Sequence, residues 1–174
     1  VIINPADEVE TEKAVFAAME HDGPVYMRFG RLAVPVIFDD GYQFEIGKAN
    51  TLVDGNDVTI IATGLMVAQA LEAQKLLEKD GISARILNMA TIKPLDEAAV
   101  LKAAAETGAI VTAEEHSIIG GLGSAVCEVL SEQNPTPVVR VGVRDTYGVS
   151  GPALELLEYH KLTAPHIAEA AKKA

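Results

Sequence analysis

The stretch TAEEHSIIGGLGSAV, residues 112–126, runs from an apolar strand into two acids, a histidine, a glycine-rich turn and the start of a helix. Parallel α/β sheets collect functional groups at such strand-to-helix junctions, so Glu114, Glu115 and His116 are the first candidates for acid–base chemistry. Neighbouring residues on an extended segment point in opposite directions, however, and the two glutamates cannot face one substrate without a bend. Gly120-Gly121-Leu122-Gly123 opens a helix as phosphate loops do. It lacks the Gly-Lys-Ser/Thr ending of a triphosphate loop and the full spacing of a dinucleotide fingerprint. The better reading is a packing junction, with glycines for close backbone approach and acids capping free amides at helix starts.

Working outward, the same cycle recurs. VTIIA at 58–62 is continuously apolar, as a strand covered on both faces should be. Thr63-Gly64 opens a helix to about Lys79, with Val67, Leu71, Leu76 and Leu77 on one side, and Asp80-Gly81 ends it. Strands are predicted at 84–89, 109–113 and 138–143, and helices at 96–107 and 122–133. Residues 151–160 and 163–174 read as two short helices, with Ser150 and Thr163 as capping candidates and Pro152 just inside. Strands alternating with helices of this length require crossovers that bury both sheet faces. The fold class is therefore α/β, a mostly parallel sheet between two helical layers.

The beginning differs. Ile2-Ile3 reads as a strand already under way, as though cut from something longer, and Pro5-Ala6-Asp7-Glu8 starts a helix whose apolar face would hold Val9, Ala14, Phe16, Ala17 and Ala18. That helix ends near His21-Asp22-Gly23-Pro24, and 25–29 turns to strand character. Residues 32–47, with Pro35, Asp39-Asp40-Gly41 and Gly47, read as an extended connector with a short hairpin, and mark a domain boundary. An edge strand is predicted at 48–53, turned by Asp54-Gly55-Asn56-Asp57 into the strand at 58–62.

Composition narrows the function classes. With 174 residues and 49% hydrophobic content the chain can bury a full core. Its 25 acids against 14 basic residues give a net charge of -11, which opposes attraction to nucleic acid or anionic membrane and fits a cytoplasmic protein. No apolar run approaches the roughly 20 residues of a membrane span. The single cysteine, Cys127, reads as a small helical core residue. His21, His160 and His166 have no metal-ligand spacing, Asp145 with Tyr147-Gly148 reads as turn chemistry, and Lys172-Lys173 suits a helix C-terminus. Against this acidic background Arg28 and Arg31, three apart at a strand end, stand out. Each offers a planar donor fork suited to phosphate; the alternative is pairing with an acid such as Asp39 or Asp40.

TIKPLD (91–96), VTAEEHSIIGGLGSAV (111–126), VGVRDTYGVSG (141–151) and the tail LTAPHIAEAAKKA together resemble the C-terminal portion of transketolase, closest to the split form encoded by two genes in some bacteria and archaea. The resemblance implies a three-layer α/β/α domain over 48–174, its five-stranded sheet mostly parallel with one antiparallel edge strand. It makes 1–30 the end of a preceding pyrimidine-binding domain and 31–47 the connector. It further implies two-carbon ketol transfer between sugar phosphates on thiamine diphosphate and magnesium, held by parts of the assembled enzyme outside this chain. The partner would be an N-terminal transketolase section or subunit, in a homodimer or heterotetramer. The strand-end arginine that binds substrate phosphate falls on Arg31, with Arg28 as the second choice, and the chain alone is expected to be inactive and to bind no cofactor. A noncatalytic assembly domain, an oxo-acid dehydrogenase β subunit and deoxyxylulose-phosphate synthase are the rival readings.

Overall fold

The computed structural model describes residues 1–174. Its centre is a five-stranded sheet in the order β3-β5-β4-β7-β8, formed by Asn50–Val53 (β3), Val58–Ala62 (β4), Ala84–Asn88 (β5), Ile110–Ser117 (β7) and Val138–Val143 (β8). All neighbours pair in parallel except edge strand β3, which is antiparallel to β5. The sheet is buried on both faces, and side-chain alternation divides the core in two. Ile60, Ile86, Val111 and Val141 face helices α2 (Met66–Lys79) and α6 (Ala164–Ala171), and Leu157 of α5 (Ala153–Tyr159) joins that core. Ile61, Leu87 and Ile110 face α3 (Glu97–Thr107) and α4 (Leu122–Gln133). This is the three-layer α/β/α arrangement expected from the alternating pattern.

A second, three-stranded sheet lies beside it, in the order β2-β1-β6, built from Ile2–Ile3 (β1), Tyr26–Met27 (β2) and Thr91–Lys93 (β6). Helix α1 (Glu8–Glu20) crosses between the parallel pair β1 and β2. Asp7 caps it by accepting from the Glu10 amide at 2.8 Å. Strand β6 has no counterpart in the sequence reading, because three residues running into a cis Lys93–Pro94 peptide carry too little periodicity to register.

Four local expectations are corrected. Asp54–Asp57 does not join a hairpin: β3 leaves it to pair with β5, two strands along the chain, while β4 sits between β5 and β7. The connector forms only a tight turn, with Tyr42 N–H bonded to the Asp39 carbonyl at 3.0 Å. The predicted apolar face of α1 is only partly its buried face: Ala14 is fully buried, but Phe16 is 58% exposed, and the unpredicted Glu10 is fully buried beside Ala14. Ser150 does not cap α5, whose first turn follows Pro152 without a side-chain cap.

Glu10 is buried because it is the acceptor at the centre of a polar hub. Its carboxylate receives the Ala6 N–H at 2.7 Å, the Tyr42 hydroxyl at 2.6 Å and the Asn88 side-chain amide at 2.7 Å. The Tyr42 hydroxyl accepts in turn from the Asn50 side-chain amide at 2.9 Å. Asp7 takes the Ile37 and Phe38 amides at 2.6 and 2.8 Å, and Phe38 stacks on Tyr42 with ring centroids 3.9 Å apart. Three acceptor-hungry stretches of sequence, the start of α1, the connector and the β3–β5 edge, are thus joined through two carboxylates.

Candidate functional site

Chain order reverses in the sheet at β4, where the path first steps to β5 and then returns to β7. In open α/β sheets the crevice beyond the strand carboxyl ends at such a reversal is the usual ligand site. Here it is closed by the first residues of the chain itself. The Asn4 carbonyl accepts from the Gly64 amide and the Thr63 hydroxyl, both at 3.2 Å, and the Asn4 amide bonds the Ala90 carbonyl at 2.8 Å. Gly64 has φ +57, and a Cβ there would lie 2.5 Å from the Asn4 side chain, so both backbone shape and space call for glycine. A chamber of about 150 Å³ remains, walled by Asn4, Tyr26, Arg28, Thr63, Glu114 and His116.

Glu114 shows what the organising stretch does. It is 1% exposed, and its two oxygens accept the Leu122 and Gly123 amides at 2.8 and 2.9 Å. The N-cap position of α4 is Gly121, which has no side chain to cap the helix; the preceding strand supplies the cap instead. Gly121 is glycine because a Cβ would sit 1.9 Å from Glu114 Oε2. Burial raises the Glu114 carboxyl above the usual carboxylate range, against the lowering effect of its two amide donors. The packing-junction reading of 112–126 is therefore the observed one.

Glu115 points the other way, toward the arginine segment. Arg28 donates to the Glu115 carbonyl at 2.6 Å, with the Glu115 carboxylate 3.5 Å away, so its guanidinium is held by β7 and not by Asp39 or Asp40. His116 is exposed, its Nδ1 accepting the Ser117 amide at 2.7 Å. Arg31 is exposed and joins no ion pair. It stands at a cavity of about 680 Å³ walled by Arg28, Phe29, Glu115, Leu156, His160 and Leu162. The structure thus brings both arginines to one cavity but leaves only Arg31 free. No group of three or more His, Cys, Asp or Glu side chains is placed to hold a metal ion. Glu10 and Tyr42 were missed as candidates, because nothing in a glutamate's sequence position announces that three donors converge on it.

A doubly covered, mostly parallel sheet whose switch-point crevice is closed by the opening βαβ unit, with an unpaired arginine beside a separate cavity, defines an α/β domain of three layers. The chain belongs to the transketolase C-terminal domain family, which residues 47–167 match. It is 48% identical over 98% of its length to the 6-deoxy-6-sulfo-D-fructose transketolase subunit of Clostridium sp. (strain MSTE9), covering 53% of that protein. It is 46% identical over 98% of its length to an apulose-4-phosphate transketolase subunit of Phocaeicola vulgatus, covering 54% of it. A solved structure described as a split gene transketolase, inactive beta4 tetramer, superposes with a TM-score of 0.97 at 52% identity, covering 99% of this chain and 57% of that one. The chain spans about half the length of these relatives. No helix is long and apolar enough to cross a membrane.

Proposed function

We propose that this chain works as the C-terminal part of a thiamine diphosphate-dependent transketolase that moves a two-carbon ketol unit between sugar phosphates, and that its own contribution is to hold substrate phosphate on Arg31. The observation that carries the reading is the division of labour between the arginines: Arg28 is consumed by Glu115, while Arg31 faces a large cavity with no carboxylate partner. A guanidinium left free beside a strand end, within a chain of net charge -11, creates a local positive site for a phosphate dianion. Similarity to subunits of split transketolases supports an N-terminal partner that supplies the remaining machinery, including thiamine diphosphate and its magnesium. When bound, that cofactor supplies the carbanion chemistry. The residues of this chain bind and orient.

Two measurements test the proposal. With the N-terminal partner restored, Arg31→Ala is expected to lower kcat/KM for phosphorylated acceptors by about 10- to 100-fold, the range for losing one charge-assisted hydrogen-bonding group. An unphosphorylated acceptor should be affected little. Equal loss on both acceptors would remove phosphate binding from Arg31, and activity indifferent to the substitution would leave the chain an assembly domain. Separately, calorimetry of the isolated chain should detect no tight stoichiometric thiamine diphosphate binding.

A further inference from the structure

A groove along the outer edge of the sheet is built largely from other residues. It lies between edge strand β8 and the junction of α5 and α6, with a volume of about 540 Å³. Arg144, His160, Lys161, His166 and Lys173 line it against a single carboxylate, that of Glu169. Such a gathering of basic groups is out of character for a chain with 25 acids and 14 Lys and Arg residues. Some of these groups have local duties. Lys173 pairs with Glu169, His166 bonds the Thr163 hydroxyl at 2.8 Å, and one Arg144 nitrogen donates to the Arg140 carbonyl at 2.9 Å. Lys161 has no carboxylate partner.

The backbone makes Lys161 more telling. Helix α5 ends in a Schellman turn, in which the Leu162 amide bonds the Leu157 carbonyl at 2.8 Å and the Lys161 amide bonds the Glu158 carbonyl at 3.0 Å. Lys161 occupies the left-handed position of that turn, at φ +59, where glycine is the unstrained residue. The fold alone gains nothing from a lysine there; the ammonium at the groove does. The strand edge adds donors. β7 takes the carbonyls of Pro137 and Val143, so strand alternation turns the amides of Arg140 and Gly142, both lining residues, outward. Tyr159, Val139 and Val141 supply an apolar wall beside the cations.

We infer that this groove binds a small organic phosphate ester, its phosphate on Lys161, Arg144 and the outward β8 amides and its carbon skeleton against Tyr159 and the β8 valines. The volume suits a ligand of that size. The site is distinct from the Arg31 cavity, although His160 lines both.

The test is a titration of the full chain with glycerol 3-phosphate, inorganic phosphate and a glutamate-rich peptide, followed by backbone amide NMR shifts. Glycerol 3-phosphate should move the signals of Gly142, Arg144, Thr146 and Lys161, and should bind more tightly than inorganic phosphate. Lys161→Gly should weaken binding by about tenfold or more while leaving the melting temperature unchanged or higher, since glycine suits the turn. Arg31→Ala should leave these shifts intact. Shifts confined to residues 28–32, equal affinity for ester and inorganic phosphate, or tighter binding of the acidic peptide would each overturn the proposal, as would unaltered binding by Lys161→Gly.

Discussion

Replacing Gly121 with alanine is expected to destabilise the chain by about 3 kcal/mol or more, through a single methyl group. The backbone is not the cause, because Gly121 has φ -98, open to any residue. The new Cβ would sit 1.9 Å from Glu114 Oε2 and 2.8 Å from the Ser117 carbonyl oxygen. Glu114 must withdraw, leaving a buried carboxylate without its two amides and the start of α4 without its cap. For a chain of this size the melting temperature should fall by roughly 2–4 °C per kcal/mol. The neighbouring Gly120 is the control. It has φ +72 but open space around it, so Gly120→Ala should cost about 1 kcal/mol, from backbone strain alone. Adding Glu114→Ala to Gly121→Ala removes the clashing group, and the double variant should be more stable than the sum of the single losses. Additive losses in calorimetry would show that the two residues do not act on each other.

The second large effect belongs to Glu10. Glu10→Ala strands the Ala6 amide, the Tyr42 hydroxyl and the Asn88 side-chain amide, all donors in a buried setting, and should cost about 3–5 kcal/mol. Tyr42→Phe leaves Glu10 two of its donors and strands only the part-buried Asn50 amide, so its cost should be smaller, about 1–2 kcal/mol. Burial raises the Glu10 carboxyl above its ordinary value, and the same holds for Glu114. Both groups therefore hold a proton in the native state at pH values where the unfolded chain has released it. Stability from these two groups is greatest below the unfolded carboxylate value and falls as pH rises through the raised folded values. Glu10→Gln, which cannot ionise, should flatten that fall even though it meets the Ala6 amide with a mismatched donor. A pH series of denaturant midpoints in which wild type and Glu10→Gln run parallel would exclude Glu10 as a source of the slope.

Much of this architecture is legible in sequence because it is driven by local pattern. The run 58–62 is apolar throughout, since both its faces are covered, and α4 and β8 fall at the expected residues. The organising stretch also reads correctly in kind: adjacency on a strand separates Glu114 from Glu115, and the glycines mark close approach. Nonlocal pairing is what escapes. A turn at 54–57 invites a hairpin, yet β3 finds β5, and β6 exists only because β1 lies beside it. Phe16 and Ala14 sit on one helix, but which of them is buried depends on where the carboxylate of Glu10 finds donors. Arg28 and Arg31 are equivalent as letters. Only the position of the Glu115 carbonyl distinguishes them.

The closed switch-point crevice bears on how the molecule comes apart. The family match begins at residue 47, but the stretch before it supplies Asn4 to Thr63 and Gly64, Glu10 to Asn88, and Tyr42 to Asn50. A chain trimmed to 47–174 would lose every one of these links and would uncover polar backbone at the sheet's carboxyl edge. Hydrogen exchange should accordingly find the amides of Asn4, Arg28, Gly64 and Met89 opening together, as one cooperative unit that straddles the sequence boundary. Residues 1–46 and the sheet should then melt as one body, whatever the position of the family boundary between them.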